Sequence, residues 1–200
     1  MAEVDSGRQR ARIVVSAPMT GPTFHEDWFP GAACENLAAL ARQVVDLPGR
    51  IVEIGSWEGK STIALANAVR PAEVHAVDTW NGSPGEPSAA LAAQRDVYST
   101  FTDNVTAWTC GNVTPFRMDW RDYFAADQSP CRFVFIDAEH TYEQVKATLD
   151  VVVPLMVPGG VICGDDVHHE PVMRAVVERF GPDVPWIANL WYLSLEAPSD

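Results

Sequence analysis

The sequence predicts a doubly wound α/β fold, a mostly parallel sheet with helices on both faces. Three observations point there. Short apolar runs alternate with segments of helical period along the chain. The run Phe133-Val-Phe-Ile is apolar throughout, as a strand covered on both faces must be. Glycine and aspartate gather where such runs end, at Gly55, Asp78, Asp137, Asp165 and Asp166. In open α/β sheets ligands bind beyond the carboxyl ends of the strands. With 200 residues, 47% hydrophobic and 20% charged, the chain is expected to be one globular domain over 1–200, with 1–32 as an N-terminal arm or lid.

Residues 1–20 show no clear period, and 21–32 read as an aromatic loop. A helix is expected over 35–45, with Leu37, Leu40, Ala41 and Val44 at helical spacing, ended by Pro48-Gly49. A strand at 50–54, a helix at 60–69 and a strand at 73–77 follow. Gly and Pro make 81–87 a loop, and 88–107 reads as one long helix. The strand at 113–118 is weakened by Pro115, and a short helix covers 120–125. After the strand at 133–136, Thr141 and Gln144 form a capping box that opens a helix over 141–153. A strand at 160–163 precedes a helix over 171–180 with Pro171 at its start. One or two β segments in 184–195 close the sheet.

A formal net charge of −13 argues against a nucleic-acid partner, which needs a basic footprint, and against an anionic membrane surface. It leaves room for a small neutral acceptor such as a sugar or phenol. Cys34, Cys110, Cys131 and Cys163 are scattered, with no paired metal or redox spacing. With a polar N-terminus and no long apolar run, the expectation is a reducing, cytoplasmic compartment. The apolar end Trp191-Tyr-Leu-Ser-Leu is an edge that a homodimer would cover.

The segment Glu53-Ile-Gly-Ser-Trp-Glu-Gly-Lys-Ser carries a strand through a turn into a helix. Three ligands compete for it. A dinucleotide wants G-x-G-x-x-G, whereas here the spacing is G-x-x-x-G and Glu53 repels pyrophosphate. A P-loop matches at Gly59-Lys60-Ser61, but Ile54 stands where its first glycine belongs. S-adenosylmethionine suits the segment best. Its cationic amine matches Glu53, and Gly55, Ser56, Gly59 and Ser61 form the turn. Its ribose matches Asp78 at the next strand end, about 20 residues on. Asp119 can accept from the adenine amine, and Trp80 and Trp120 can stack on the ring.

Asp137, Asp165 and Asp166 fall where two strands run out, and His140 lies three positions past the first. Carboxylates crowded on one sheet edge repel unless they share a positive charge. A hard divalent cation takes oxygen ligands of this kind, Mg²⁺ first and Mn²⁺ as the alternative. Taken singly, each residue has a plain structural explanation: a solvated turn, a helix-terminal acid, a loop histidine. Their joint placement favours a site.

Glu53-Ile-Gly-Ser-Trp-Glu-Gly-Lys-Ser, Val77-Asp-Thr-Trp-Asn-Gly and Phe135-Ile-Asp-Ala-Glu-His-Thr-Tyr together resemble class I S-adenosylmethionine-dependent methyltransferases. Within that family they resemble the metal-dependent branch of macrolide and aminocoumarin sugar O-methyltransferases, with mycobacterial methylmannose polysaccharide O-methyltransferases as a related setting. Catechol O-methyltransferase is more distant. The resemblance spans about residues 35–180 and implies a Rossmann-like, seven-stranded sheet. It implies metal ligands at Asp137, Asp165 and Asp166, a general base at His140, and a sugar or oligosaccharide acceptor. His140 stands where the catechol branch has lysine, which disfavours a catechol. His168 and His169 are rivals for the base or substrate contacts, and Trp28 and Phe29 are candidates for a lid over the substrate. The competing functions are methylation of a phenol-like acceptor, a non-catalytic cofactor-binding module, and a P-loop nucleotidase.

Overall fold

A computed structural model describes residues 21–195, so the expected arm is described only from residue 21. In chain order the elements are α1 (Gly31–Arg42), β1 (Arg50–Ile54), α2 (Lys60–Val69), β2 (Val74–Asp78), α3 (Pro87–Ala92), α4 (Val97–Trp108), β3 (Val113–Arg117) and α5 (Trp120–Ala126). They continue with β4 (Cys131–Ile136), α6 (Tyr142–Val152), β5 (Met156–Gly164), α7 (Glu170–Phe180), β6 (Trp186–Ile187) and β7 (Leu190–Ser194). The sheet has seven strands in the order β3-β2-β1-β4-β5-β7-β6. The first five run parallel, while β7 is antiparallel to β5 and β6 antiparallel to β7.

Period-two alternation divides the core between the two faces. Val52, Val134 and Ile162 point to one side, where Val145, Leu149 and Val176 of α6 and α7 cover them. Ile51, Phe133, Phe135 and Cys163 point to the other, under Leu37, Leu40 and Leu65 of α1 and α2. Glu53 falls on this second face by the same alternation, a carboxylate among apolar neighbours. From β1 the chain moves outward through β2 to β3, then returns to β4 on β1's other side. The strand order reverses there, and a crevice opens between the ends of β1 and β4.

The elements depart from the sequence expectations where tertiary contacts outweigh local pattern. The long helix over 88–107 is broken into α3 and α4. Asp96 caps α4 by accepting from the Ser99 amide at 3.0 Å, and Arg95 in the break is drawn away to Glu26 and Glu58. Helix α1 starts four residues earlier than its apolar period suggests, since the Pro30 carbonyl accepts from Ala33 and Cys34. Strand β5 extends back to Met156. Only half of the capping box forms: Thr141 accepts from the Gln144 amide at 3.3 Å, while the Gln144 side chain turns to Arg121. Among the described residues no helix is long and apolar enough to cross a membrane.

Candidate active site

A cleft of about 870 Å³ lies over the carboxyl ends of β1, β2, β4 and β5. That is the size of a small-molecule site. Gly55, Ser56 and Asp78 line one part, and Asp137, His140, Asp165, Asp166 and His169 line another. Gly55 has φ +88°, and a Cβ there would fall 1.8 Å from the Asp137 carbonyl oxygen. Only glycine lets the turn pass so close to the end of β4, so the glycine at 55 fixes the distance between the two halves of the cleft.

Asp78 is a staple for the turn. Its Oδ2 accepts from the amides of Ser56 (2.8 Å) and Trp57 (2.9 Å), and its Oδ1 accepts from Trp80 (2.7 Å). Burial pushes its pKa up against these three N–H groups. Ser61 and the α5 cap residues Asp119 and Trp120 also line the cleft. Asp119 accepts from the Arg121 amide at 2.8 Å, and the Arg121 guanidinium lies 4.3 Å from the Trp120 ring centroid.

Three expected cofactor contacts sit elsewhere. Glu53 is 0% exposed beneath the turn and does not line the cleft. Its Oε2 accepts from Ser56 Oγ (2.9 Å) and from Thr62 Oγ1, and its Oε1 has no hydrogen-bond partner. Burial, opposed by hydroxyl donors including Ser61, raises its pKa to about 7. Glu53 therefore shapes the turn from behind. Gly59 caps α2 against Phe101, away from the cleft lining. Trp80 was expected on adenine, but its indole is buried between Tyr98 and Phe101 of α4 and donates to the Trp57 carbonyl at 2.7 Å. A positive φ of 56° at Trp80 turns it that way.

At the other part of the cleft, Asp137, His140 and Asp166 each offer one ligand atom, and these atoms lie within 4.8 Å of one another. His140 Nε2 is 2.8 Å from Asp166 Oδ2 and 3.9 Å from Asp137 Oδ1. Nε2 thus faces two carboxylates and is charge-paired with Asp166. Glu86 holds the opposite ring edge, 3.1 Å from Nδ1, and accepts from the His140 amide at 3.2 Å. Burial lowers the His140 pKa, but the surrounding carboxylates outweigh it and push it up to about 11. Asp165, expected as a third acidic ligand, lies outside the compact set of three; it is buried, and its Oδ1 accepts from Asn189 Nδ2 at 2.7 Å. Burial and the charges of Asp137 and Asp166 push its pKa up to about 8. Burial also raises Asp137, whereas the His140 contact holds Asp166 below the usual range. Three crowded acids, two of them with raised pKa values, facing one imidazole edge fit a shared cation.

Of the expected substrate residues, Trp28, Phe29 and His169 line the cleft. Trp28 is 50% exposed and packs on Trp57, whereas Phe29 is buried against Phe135. His169 caps α7, its ring centroid 5.8 Å from that of His140. His168 faces outward onto Trp186, outside the cleft. The segment carrying Trp28 is clamped by groups the sequence did not reveal. Arg95 makes a two-pronged contact with Glu26 and lies 3.0 Å from Glu58, which also accepts from the His25 amide at 2.7 Å. Lys60, the lysine of the P-loop alternative, pairs with Asp27. Glu86, Arg95 and Asn189 carry no local motif, and only charge and loop position hinted at them.

An open α/β sheet with a small-molecule cleft at its switch point is the ligand-binding arrangement of doubly wound folds. The family model described as a methyltransferase domain matches residues 52–167, and the chain belongs to that family. No curated protein gives a significant match. Among solved structures, the O-methyltransferase NovP is 21% identical with a TM-score of 0.62, over 82% of this chain and 79% of that one. CalS11, a TDP-rhamnose 3'-O-methyltransferase of calicheamicin biosynthesis, is 19% identical with a TM-score of 0.56, over 80% and 77%. Cofactor-bound Rv0187 from MTB is 20% identical with a TM-score of 0.61, over 94% and 84%. These likenesses establish a shared fold.

Proposed function

We propose that this chain transfers a methyl group from S-adenosylmethionine to a hydroxyl of a sugar or glycoside, assisted by Mg²⁺ or Mn²⁺. The observation that carries the proposal is the convergence of Asp137, His140 and Asp166 on one point of the cleft that begins at Gly55. The O-methyltransferase NovP and the TDP-rhamnose enzyme CalS11, similar in fold, support a hydroxyl and a sugar.

The carboxylates of Asp137 and Asp166 would hold the cation, and Asp165, outside the compact set, would join them through its second oxygen when the cation binds. When bound, a divalent cation supplies charge that fixes an acceptor oxygen and eases loss of its proton. The sulfonium donor supplies an electrophilic methyl group. His140 is the base once a bound cation offsets the carboxylate charge that otherwise holds its ring protonated: Nε2 faces Asp166 and Asp137, and Glu86 orients the ring from the other edge. As the oxygen–methyl bond forms and the methyl–sulfur bond breaks, the hydroxyl proton passes to Nε2. Asp78 keeps the cofactor turn rigid through its three amide contacts. Trp28 covers the cleft mouth and reduces access of water.

The test combines the protein with labelled S-adenosylmethionine, a panel of mono- and disaccharide glycosides, and Mg²⁺ or EDTA. Label should enter a sugar hydroxyl, vanish in EDTA and return on adding Mg²⁺ or Mn²⁺. Asp166→Ala should abolish transfer while cofactor binding survives. Full activity in chelator would reject the cation's role, and transfer confined to phenols would reject the sugar.

A further inference from the structure

The hairpin joining β6 to β7 lies at the far edge of the sheet, yet it touches the turn after β5 that lines the cleft. Asn189 stands in that hairpin, next to Ala188 at φ +54°. It makes two contacts with the turn after β5. Its side-chain Nδ2 donates to Asp165 Oδ1 at 2.7 Å, and its backbone carbonyl accepts from the Val167 amide at 3.1 Å. That turn is unusual. Asp166 has φ +63°, a conformation uncommon for any residue but glycine. The His169 amide donates to the Asp166 carbonyl at 2.8 Å and closes the turn on the start of α7. Two successive acids therefore face the cleft from a tight turn, and Asn189 ties down the residues on both sides of Asp166.

We propose that Asn189 is a positioning residue for the cation site, its amide committing one oxygen of Asp165 so that the other is presented to the metal. The inference rests on the divalent-cation reading above. An ionised carboxylate accepts through both oxygens and rotates freely unless one is engaged. In a buried position beside Asp137 and Asp166, repulsion would swing an untethered Asp165 away from them. A neutral amide donor restrains it without adding charge, as outer-shell partners do for metal-ligating side chains. The hydrogen bond to Val167 uses backbone atoms only, so it survives replacement of the side chain. Substitution therefore separates the amide's action on Asp165 from the hairpin's support of the turn.

The experiment measures Mn²⁺ binding to the whole protein by electron paramagnetic resonance and calorimetry. It compares the protein with Asn189→Leu, which is close in size but has no donor, and with Asn189→Ala. Both variants should bind Mn²⁺ about 10–100-fold more weakly, with S-adenosylmethionine affinity unchanged. The Mg²⁺ concentration for half activation should rise by a similar factor, while kcat at saturating Mg²⁺ recovers. Asp165→Asn should weaken Mn²⁺ binding too, and combining it with Asn189→Leu should add little, because both act through one carboxylate. Unchanged or tighter Mn²⁺ binding in both Asn189 variants would overturn the inference and leave the cation reading standing. Additive losses in the double variant would also overturn it. A parent protein that binds no Mn²⁺ would instead sink the cation reading itself.

Discussion

Glu53→Gln is the most direct probe of the cofactor turn. Glu53 is 0% exposed on the sheet face that α1 and α2 cover, with Oε1 lacking any partner. Burial is the largest influence on its carboxyl and raises the pKa from 4.5 to about 7, against donation from Ser61, Thr62 and Ser56. Below pH 4.5 the group is protonated both folded and unfolded, and it costs the fold nothing. As pH rises toward 7 the unfolded chain ionises while the folded one keeps its proton. The unfolded state then binds fewer protons, so stability falls with rising pH. The shift from 4.5 to about 7 corresponds to a loss of about 3 kcal/mol, complete once pH exceeds the folded value. Glutamine has the same shape and never ionises, and the Ser56 and Thr62 hydroxyls can rotate to accept from its amide. Urea unfolding of both proteins across this range reads the difference, and titrations common to both cancel. Glu53→Gln should match the parent near pH 4.5 and exceed it by about 3 kcal/mol near pH 8. A stability difference independent of pH would show that Glu53 is ionised throughout, and the account of the turn's buried side would fail.

Two further perturbations test the cleft walls. Asp78→Asn places an NH₂ group against at least one of the backbone amides of Ser56, Trp57 and Trp80 that the carboxylate now serves. It should cost about 1–3 kcal/mol in thermal unfolding and weaken S-adenosylmethionine binding about tenfold by calorimetry. Arg95→Leu leaves Glu26 and Glu58 without their shared cation. It should cost about 2–3 kcal/mol, less than a fully buried pair since Arg95 keeps some solvent contact. Hydrogen exchange over residues 21–30 should quicken, and unchanged exchange there would dismiss the clamp.

Much of this molecule was legible in the chain itself. The order of strands and helices follows from apolar runs of two lengths, because each element must bury one face. Gly55 was marked by its place between a strand and a helix, and the acids at 78, 137, 165 and 166 by theirs at strand ends. Those signals are local: a strand's carboxyl end is the same end whatever lies beside it. Illegible were the contacts between residues distant in sequence. Trp80 reads as a free aromatic until the core under α4 takes it. Glu53 reads as a ligand group until alternation along β1 and the cover from α1 and α2 bury it.

The sequence by itself thus determined which atoms are available at the mouth of the sheet, since strand ends and turns are set by neighbours a few residues away. Only the tertiary structure decided which of those atoms face each other. Glu86 meets His140, Asn189 meets Asp165 and Arg95 bridges Glu26 and Glu58 because the crossovers bring separate loops to one edge. Charge and hydrogen bonding act over a few ångströms of space and take no account of distance along the chain.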